Sequence, residues 1–310
     1  MSGKKKVLYI FLIFSFITVS GQETPLNPVS NKVFTPYVFN PAIAGSKDFL
    51  SADLLAALQN KQYTQLLGIN TRLKKKGNDY FHNQGIKEFS NIGIGGYVFN
   101  DLIGDYRNAG ISIAAAYHIP LGREKLSFLS FGAAGKGVLS HYPGNTDLGI
   151  PARDTLLPNV DAGIFYYNPA FYAGISTVNI LEITPVNDTI PVSRKYFFNA
   201  GFKVVLGRRL NIVLEPTLIA SMGDTLSDDI KDMIHPGLKL YLGNFCVGTY
   251  LNDYDRIPFF FQYKYPGFYI GTFFELPRNT PFYKKEITAE IVLGLNITKN
   301  NPAYNRKGQW

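Results

Sequence analysis

The sequence predicts an all-β fold, an antiparallel transmembrane β-barrel of about 14 strands and of outer-membrane type. Three observations carry this expectation. Segments of roughly ten residues that alternate apolar with small or polar side chains fill the chain from Phe49 to Ile297, and a period of two sends successive side chains to opposite faces of a strand. Such a strand rises roughly 33 Å and, tilted by about 40 to 45°, crosses roughly 25 Å, the height of a barrel's apolar band. After the first apolar stretch, no run approaches the roughly 20 residues that a spanning helix requires.

The chain opens on Lys4, Lys5 and Lys6, followed by an apolar run from Val7 to Val19 and the small residues Ser20 and Gly21. A basic start, a short apolar run and a small-residue cleavage site make residues 1–21 a secretory signal peptide, because the run is too short to span a bilayer as a helix. No cysteine lies near that site, which argues against a lipid-anchored start. Residues 22–48 then read as an N-terminal periplasmic segment, 49–297 as the transmembrane barrel and 298–310 as a polar C-terminal tail.

Strands are expected near 49–60, 63–73, 90–100, 108–120, 125–140, 159–167 and 170–180, and again near 194–206, 210–222, 233–243, 244–252, 256–264, 267–275 and 286–297. The last shows the pattern most cleanly: Ile287, Ala289, Ile291, Leu293, Leu295 and Ile297 share one phase, and Glu286, Thr288, Glu290, Gly294 and Asn296 the other, with Val292 the one break. Leu210, Ile212, Leu214, Leu218 and Ala220 stand likewise against Asn211, Glu215 and Thr217, and Phe198, Ala200, Phe202, Val204 and Leu206 against Asn199, Gly201 and Lys203.

Outer-membrane barrels alternate short periplasmic turns with longer external loops. Connections at Leu121–Glu124, Asn168-Pro169, Gly207–Arg209 and Tyr265-Pro266 are short, and those at 141–158, 181–193, 223–232 and 276–285 are long. An even strand number then puts both termini in the periplasm. The first hairpin departs from this rhythm, with a short connection at Lys61-Gln62 and a long one from Lys74 to Phe89.

Composition agrees. Charged residues are 17% of the chain, below the roughly 25% of ordinary soluble domains, and aromatic residues reach 15%, which suits girdles at two membrane interfaces. The formal charge of +8 becomes +5 without Lys4, Lys5 and Lys6, and the remaining basic residues are scattered, so no nucleic-acid surface is expected. The single cysteine, Cys246, excludes an intramolecular disulfide and reads as packing between Phe245 and Val247.

Chemistry-bearing motifs are absent. His82, His118, His141 and His235 fit no metal-ligand spacing, and there is no Gly-x-Ser-x-Gly elbow, Walker loop or Cys pair. Gly93-Ile94-Gly95-Gly96 lies inside an alternating strand with no helix after it, so close packing at the barrel wall is its expected use. Asp224, Asp228, Asp229 and Asp232 lack the glycine and terminal glutamate of a calcium loop and read as a solvated loop. No catalytic residues, metal or cofactor are expected; no small-molecule ligand is identified.

Lys203, Glu215, Lys239, Lys264 and Glu290 lie on the polar phase of their strands and should face the lumen, because a charge facing lipid near the midplane costs roughly 2 to 4 kcal/mol. Their mixed signs suit a salt-bridged filling of the lumen better than an ion-selective pore.

Ahead of the first strand, Val33-Phe34-Thr35-Pro36-Tyr37-Val38-Phe39-Asn40-Pro41-Ala42-Ile43-Ala44-Gly45-Ser46 resembles the Asn-Pro-Ala-x-Ala-Gly-Ser tract that opens the PorP/SprF family, outer-membrane proteins associated with the type IX secretion system of Bacteroidetes. The run Asp161–Tyr167 into Phe171–Ser176 is similar to a paired-strand pattern of that family, and Phe274–Arg278 with Lys285–Glu290 to its closing hairpin. Asn40, Pro41, Ala42, Ala44, Gly45 and Ser46 are the matching motif residues.

The resemblance implies a non-enzymatic barrel in the outer membrane, integral in its lipid. Its partners would be type IX components and a secreted or cell-surface protein such as a gliding-motility adhesin. A passive or ligand-selective, porin-like transport barrel is the alternative. An outer-membrane hydrolase lacks any recognisable serine, histidine and acid arrangement. Loops His141–Pro158 and Pro185–Arg194 suit an external partner, and Lys74–Lys76 and Thr298–Trp310 a periplasmic one.

Overall fold

In the computed structural model the described residues are 33–47, 49–59, 62–74, 89–121, 127–144, 151–181, 194–207, 212–223, 233–251, 256–265, 267–277 and 288–297. The signal peptide, residues 22–32, His82, Lys75-Lys76, the acidic residues Asp224, Asp228, Asp229 and Asp232, most of the long connections and the tail 298–310 lie outside them.

The strands are β1 (Leu50–Gln59), β2 (Gln62–Lys74), β3 (Phe89–Ile103), β4 (Tyr106–Pro120), β5 (Phe128–Tyr142), β6 (Arg153–Tyr167), β7 (Phe171–Val178), β8 (Lys195–Phe202), β9 (Val204–Gly207), β10 (Ile212–Gly223), β11 (Ile234–Leu242), β12 (Phe245–Tyr250), β13 (Arg256–Tyr265), β14 (Phe268–Pro277) and β15 (Thr288–Ile297). Each pairs antiparallel with its neighbours, and β15 returns to β1 from Leu50↔Ile297 to Leu58↔Ala289, which closes the sheet. β8 and β9 are two pieces of one stave interrupted at Lys203, both paired with β10, so the barrel has fourteen staves. The interruption occurs where the Lys203 backbone N–H leaves the ladder and donates to the Ala170 carbonyl at 2.7 Å.

One strand is longer than the sequence predicts, and the first hairpin is more regular. β6 begins at Arg153, so 153–158, expected as loop, are strand paired with 137–142 of β5. The first hairpin, despite its odd connections, pairs regularly from Ser51↔Asn70 to Gln59↔Gln62.

The alternation resolves into an apolar exterior and a filled interior. On β15, Ile291 and Leu293 are 52% and 43% exposed on the outside, whereas Val292, the break in the pattern, is fully buried inside. The outer face also shows where lipid ends. Ala109, Leu139 and Leu156 lie side by side across β4, β5 and β6, and the next outward row is Arg107, His141 and Asp154, with His141 Nδ1 2.6 Å from Asp154 Oδ1. From Leu129 to Leu139 the outer face of β5 spans roughly 34 Å of strand, or roughly 26 Å across a membrane at a tilt of about 40°.

At the end where β1 begins and β15 finishes, here the terminal end, outward Tyr117, Phe131, Phe171, Phe202, Tyr265 and Phe268 form one aromatic belt. Girdles do not account for all the aromatic residues, however. Tyr97, Phe99, Phe165, Tyr241, Tyr250, Phe260, Tyr269 and Phe273 point inward and are buried, so much of that wealth fills the lumen.

Ile113 stands midway down the outer face of β4 and is 69% exposed. Ile113→Arg should lower the stability of the lipid-embedded barrel by about 2 to 4 kcal/mol and Ile113→Leu by far less, read as the urea midpoint of vesicle-inserted protein. Equal midpoints would mean that lipid does not touch this face.

Candidate functional site: a plugged lumen

The most unusual feature is what fills the barrel. Residues 33–47, expected as part of a periplasmic segment, lie inside the lumen: Phe34, Thr35, Tyr37, Val38, Asn40, Pro41, Ala42, Ile43 and Ala44 are all buried. The lumen is therefore closed mainly by peptide, not by salt-bridged side chains alone. These residues meet strands near their terminal ends, so the plug occupies the terminal half of the barrel.

A peptide in a lumen must satisfy its own backbone groups, and this one does so with two short 3-10 turns, Pro36–Val38 and Pro41–Ile43. Each starts on a proline, whose fixed φ suits the first position of a helical turn and whose missing N–H costs nothing there. Asn40 caps the second turn, its Oδ1 accepting from Ala42 N at 3.0 Å. Ala44 N donates to Pro41 O at 3.1 Å and Ser46 N to Ile43 O at 2.9 Å. Gly45 then takes φ +73°, a left-handed conformation natural to glycine, and its N–H donates to Asn70 Oδ1. The Asn-Pro-Ala-x-Ala-Gly-Ser tract is thus a capped turn with a left-handed exit.

The barrel wall is cut to receive it. A Cβ at Gly93 would overlap the Ala44 carbonyl, one at Gly132 the Pro41–Ala42 peptide, one at Gly163 the Asn40 carboxamide, and one at Gly68 the Tyr37 hydroxyl. Gly93 and Gly95 do serve close approach, as expected of that glycine run, and the partner is the plug. Phe34 packs against Phe260 with ring centroids 6.0 Å apart and stacks on Tyr269 at 6.5 Å.

Polar wall groups hold plug carbonyls that its own turn hydrogen bonds do not use. Ser130 Oγ donates to Ala42 O at 2.7 Å and Ser176 Oγ to Phe39 O at 2.7 Å. His118 Nε2 lies 2.8 Å from Ala44 O, which can only accept, so Nε2 donates and the neutral ring's Nδ1 accepts from the Tyr167 hydroxyl at 3.1 Å. Asp53 accepts from Tyr37 at 3.1 Å and from Tyr269 at 2.7 Å, which ties plug and two strands to one carboxylate.

The five charged candidates all face inward. Glu215 and Lys239 are direct cross-strand partners, Oε1 to Nζ 3.0 Å, and Lys203 Nζ lies 4.0 Å from Oε2. Tyr172 donates to Glu215 Oε1 at 3.0 Å and Tyr241 to Oε2 at 2.9 Å. Lys264 lines the same cavity, of about 220 Å³, together with Lys47, Ser46, Glu215, Lys239 and Cys246. Glu290 is buried elsewhere on the wall, beside Ala57 and Phe273. Lys136 and Asp161 form a further inward pair at 3.1 Å, with Asp161 also accepting from Asn179 N at 2.8 Å.

Sequence reasoning named the plug's motif but not its receptor. His118, Ser130 and Ser176 bond to backbone carbonyls, which leave no spacing signature, and Asp53 and Tyr269 stand far apart in the chain. Among the described residues no group of three His, Cys, Asp or Glu side chains is placed to hold a metal ion.

A closed antiparallel barrel with a lipid-facing belt and a peptide-filled lumen is a membrane β-barrel of the plugged kind. The chain belongs to the PorP/SprF family, described as type IX secretion system membrane proteins, whose profile matches residues 27–295. The match takes in both the plug and the strands. No curated protein matches the chain by sequence.

Similar solved structures include the beta domain of the Bordetella autotransporter BrkA, at 10% identity over 81% of this chain and 99% of that one with a TM-score of 0.35. BamA from Haemophilus ducreyi lacking POTRA domains 1–3 is 9% identical, with 81% and 71% covered and a TM-score of 0.38. The NanC porin is 9% identical, with 81% and 100% covered and a TM-score of 0.32. Likeness at this level carries nothing about role.

Proposed function

We propose that this barrel works by binding and not by conduction, assisting the export or surface attachment of a protein secreted by the type IX system, such as an adhesin of gliding motility. The observation that carries this reading is the plug: a segment bearing the family's own motif occupies the lumen, where a porin-like route would need open space. In this reading residues 1–21 are removed on export, the barrel stands in the outer membrane of a Bacteroidetes cell, and the terminal end with its plug faces the periplasm. The row Arg107, His141 and Asp154 then marks the outer surface, where a secreted partner is received. No catalytic step is assigned to any residue.

Deleting the gene tests the proposal. Surface labelling of whole cells should show at least one type IX substrate lost from the surface, either retained or released into the medium, with restoration by the plasmid-borne gene. Normal display of every type IX substrate in the deletion strain would overturn it.

A further inference from the structure

Unequal strand lengths leave one sheet edge without a neighbour. β3, β4, β5 and β6 each run for 15 residues, whereas β7 and β8 each run for 8. β6 is paired with β5 without a break from Phe128↔Tyr167 to Tyr142↔Arg153, but with β7 only from Ala162↔Thr177 to Tyr167↔Tyr172. On that second side no strand among the described residues faces 153–159, roughly 20 Å of β6.

The departure of β7 is built by side chains. Asn179 takes φ +59°, a conformation that asparagine tolerates better than most residues, and its N–H donates to Asp161 Oδ1 at 2.8 Å. Leu181 N donates to Asn159 Oδ1 at 3.2 Å, and Arg194 Nη2 to the Ile180 carbonyl at 3.2 Å. The chain is thereby turned off the line that would have continued the ladder along β6.

Backbone geometry fixes what the edge offers. In antiparallel pairing, alternate residues turn both their N–H and their C=O toward the same neighbour. Val160 O accepts from Ile180 N at 2.9 Å on the β7 side, so Pro158, Leu156 and Asp154, which share its phase, also turn their groups away from β5. Pro158 has no N–H and Asp154 is charged, two features that keep an edge from pairing with any passing chain. Between them Leu156 presents both an N–H and a carbonyl, with its side chain 68% exposed on the outer face.

We propose that this edge receives an extended segment of the secreted partner, which adds to β6 as a strand, exchanges both backbone bonds with Leu156 and lays an apolar side chain against it. Strand addition takes its affinity from main-chain bonds and its specificity from alternate side chains, and Pro158 and Asp154 set the register. Leu156 stands beside Leu139 and next to the row of His141 and Asp154, within reach of a partner outside the cell, a placement that rests on the secretion reading above.

Complementing the deletion strain separates this site from the role. Leu156→Pro removes the edge N–H without touching the bonds to β5. It should lower display of the type IX substrate that the deletion loses by at least tenfold, with a folded, heat-modifiable barrel still in the outer membrane. Leu156→Ala keeps the N–H and should retain at least half of that display. Asp154→Pro removes the next edge N–H and serves the same comparison if Leu156→Pro does not fold. Amide exchange on the detergent-purified full chain needs no variant: the Leu156 N–H should exchange at least a hundredfold faster than the Leu157 N–H, which points to β5. Normal display by whichever proline variant folds would overturn the edge and leave the secretion reading standing, whereas normal display in the deletion strain would overturn both. Equal protection of Leu156 and Leu157 would show that the barrel's own chain covers the edge, and would also overturn the proposal.

Discussion

Removing residues 33–47 should turn a closed barrel into a conducting one. In planar bilayers the intact protein is expected to give no stepwise channel openings, and the deletion variant to give regular ones, because the capped turns of Pro36–Val38 and Pro41–Ile43 occupy the lumen beside His118, Ser130 and Ser176. Stability should fall as well. Phe34, Tyr37, Val38 and Ile43 are buried against the wall, and each such side chain contributes about 1.5 to 3 kcal/mol when sheltered from water. Should the deletion fail to insert, Gly132→Leu and Gly163→Val keep the experiment decisive. Both put side-chain atoms where the Ala42 backbone and the Asn40 carboxamide now lie, so they should displace the plug while leaving the outer face untouched. Silent bilayers for all three inserted variants would mean that something other than this segment closes the barrel.

The second large effect concerns Glu215. Two lysines and two tyrosine hydroxyls converge on its carboxylate inside the wall. Glu215→Leu removes the carboxylate that faces Lys239 inside the wall, and breaking a buried pair in this way costs about 3 to 5 kcal/mol. A loss of that size should appear as a lower urea midpoint in lipid vesicles. Glu215→Gln keeps one oxygen that can accept from one of the two tyrosines and should lose less. Changing Glu215, Lys203 and Lys239 together to apolar residues of similar volume should recover most of the loss, because the cost lies in the uncompensated charge and not in a missing contact. An unfolding free energy for Glu215→Leu within about 1 kcal/mol of the parent would show the cluster to be well hydrated.

The parts of this molecule that the sequence discloses are those on which lipid acts. Facing a bilayer, every second residue of a strand must be apolar, and that rule acts on each strand separately, so Ile291, Leu293 and Leu295 announce their face without reference to any other strand. The same rule read from inside places Lys203, Glu215, Lys239, Lys264 and Glu290 in the lumen, and even the exception at Val292 marks an inward position. Where two strands meet is also legible when the turn is short, as at Asn168-Pro169.

The plug obeys no such periodicity. Its apolar residues Phe34, Tyr37, Val38 and Ile43 follow an irregular backbone that is sheltered on all sides, so no alternation records which way each one points. Its docking site is dispersed further still: Gly68, Gly93, Gly132 and Gly163 belong to four different strands, and only closure of the barrel brings them round one peptide. Each glycine alone resembles any small residue in a β-strand. Aromatic content misled for a related reason, because girdle and lumen both favour large rings and a residue count does not separate outward Phe131 from inward Phe99.

The claim on which the rest depends is that the Asn40–Ser46 tract lies inside the barrel. It is tested most directly by cross-linking in native membranes, on a chain in which Cys246→Ala has removed the single native thiol. Ala42→Cys paired with Ser130→Cys joins positions 88 residues apart whose side chain and carbonyl now lie 2.7 Å from one another. A short bis-thiol reagent should close that loop and shift the denatured chain on a gel, whereas Ala42→Cys paired with the outward Leu156→Cys should give no shift. Absence of the Ala42–Ser130 product, with Ala42→Cys modified by a bulky water-soluble maleimide as fast as a thiol at exposed Asp105, would contradict the plugged barrel.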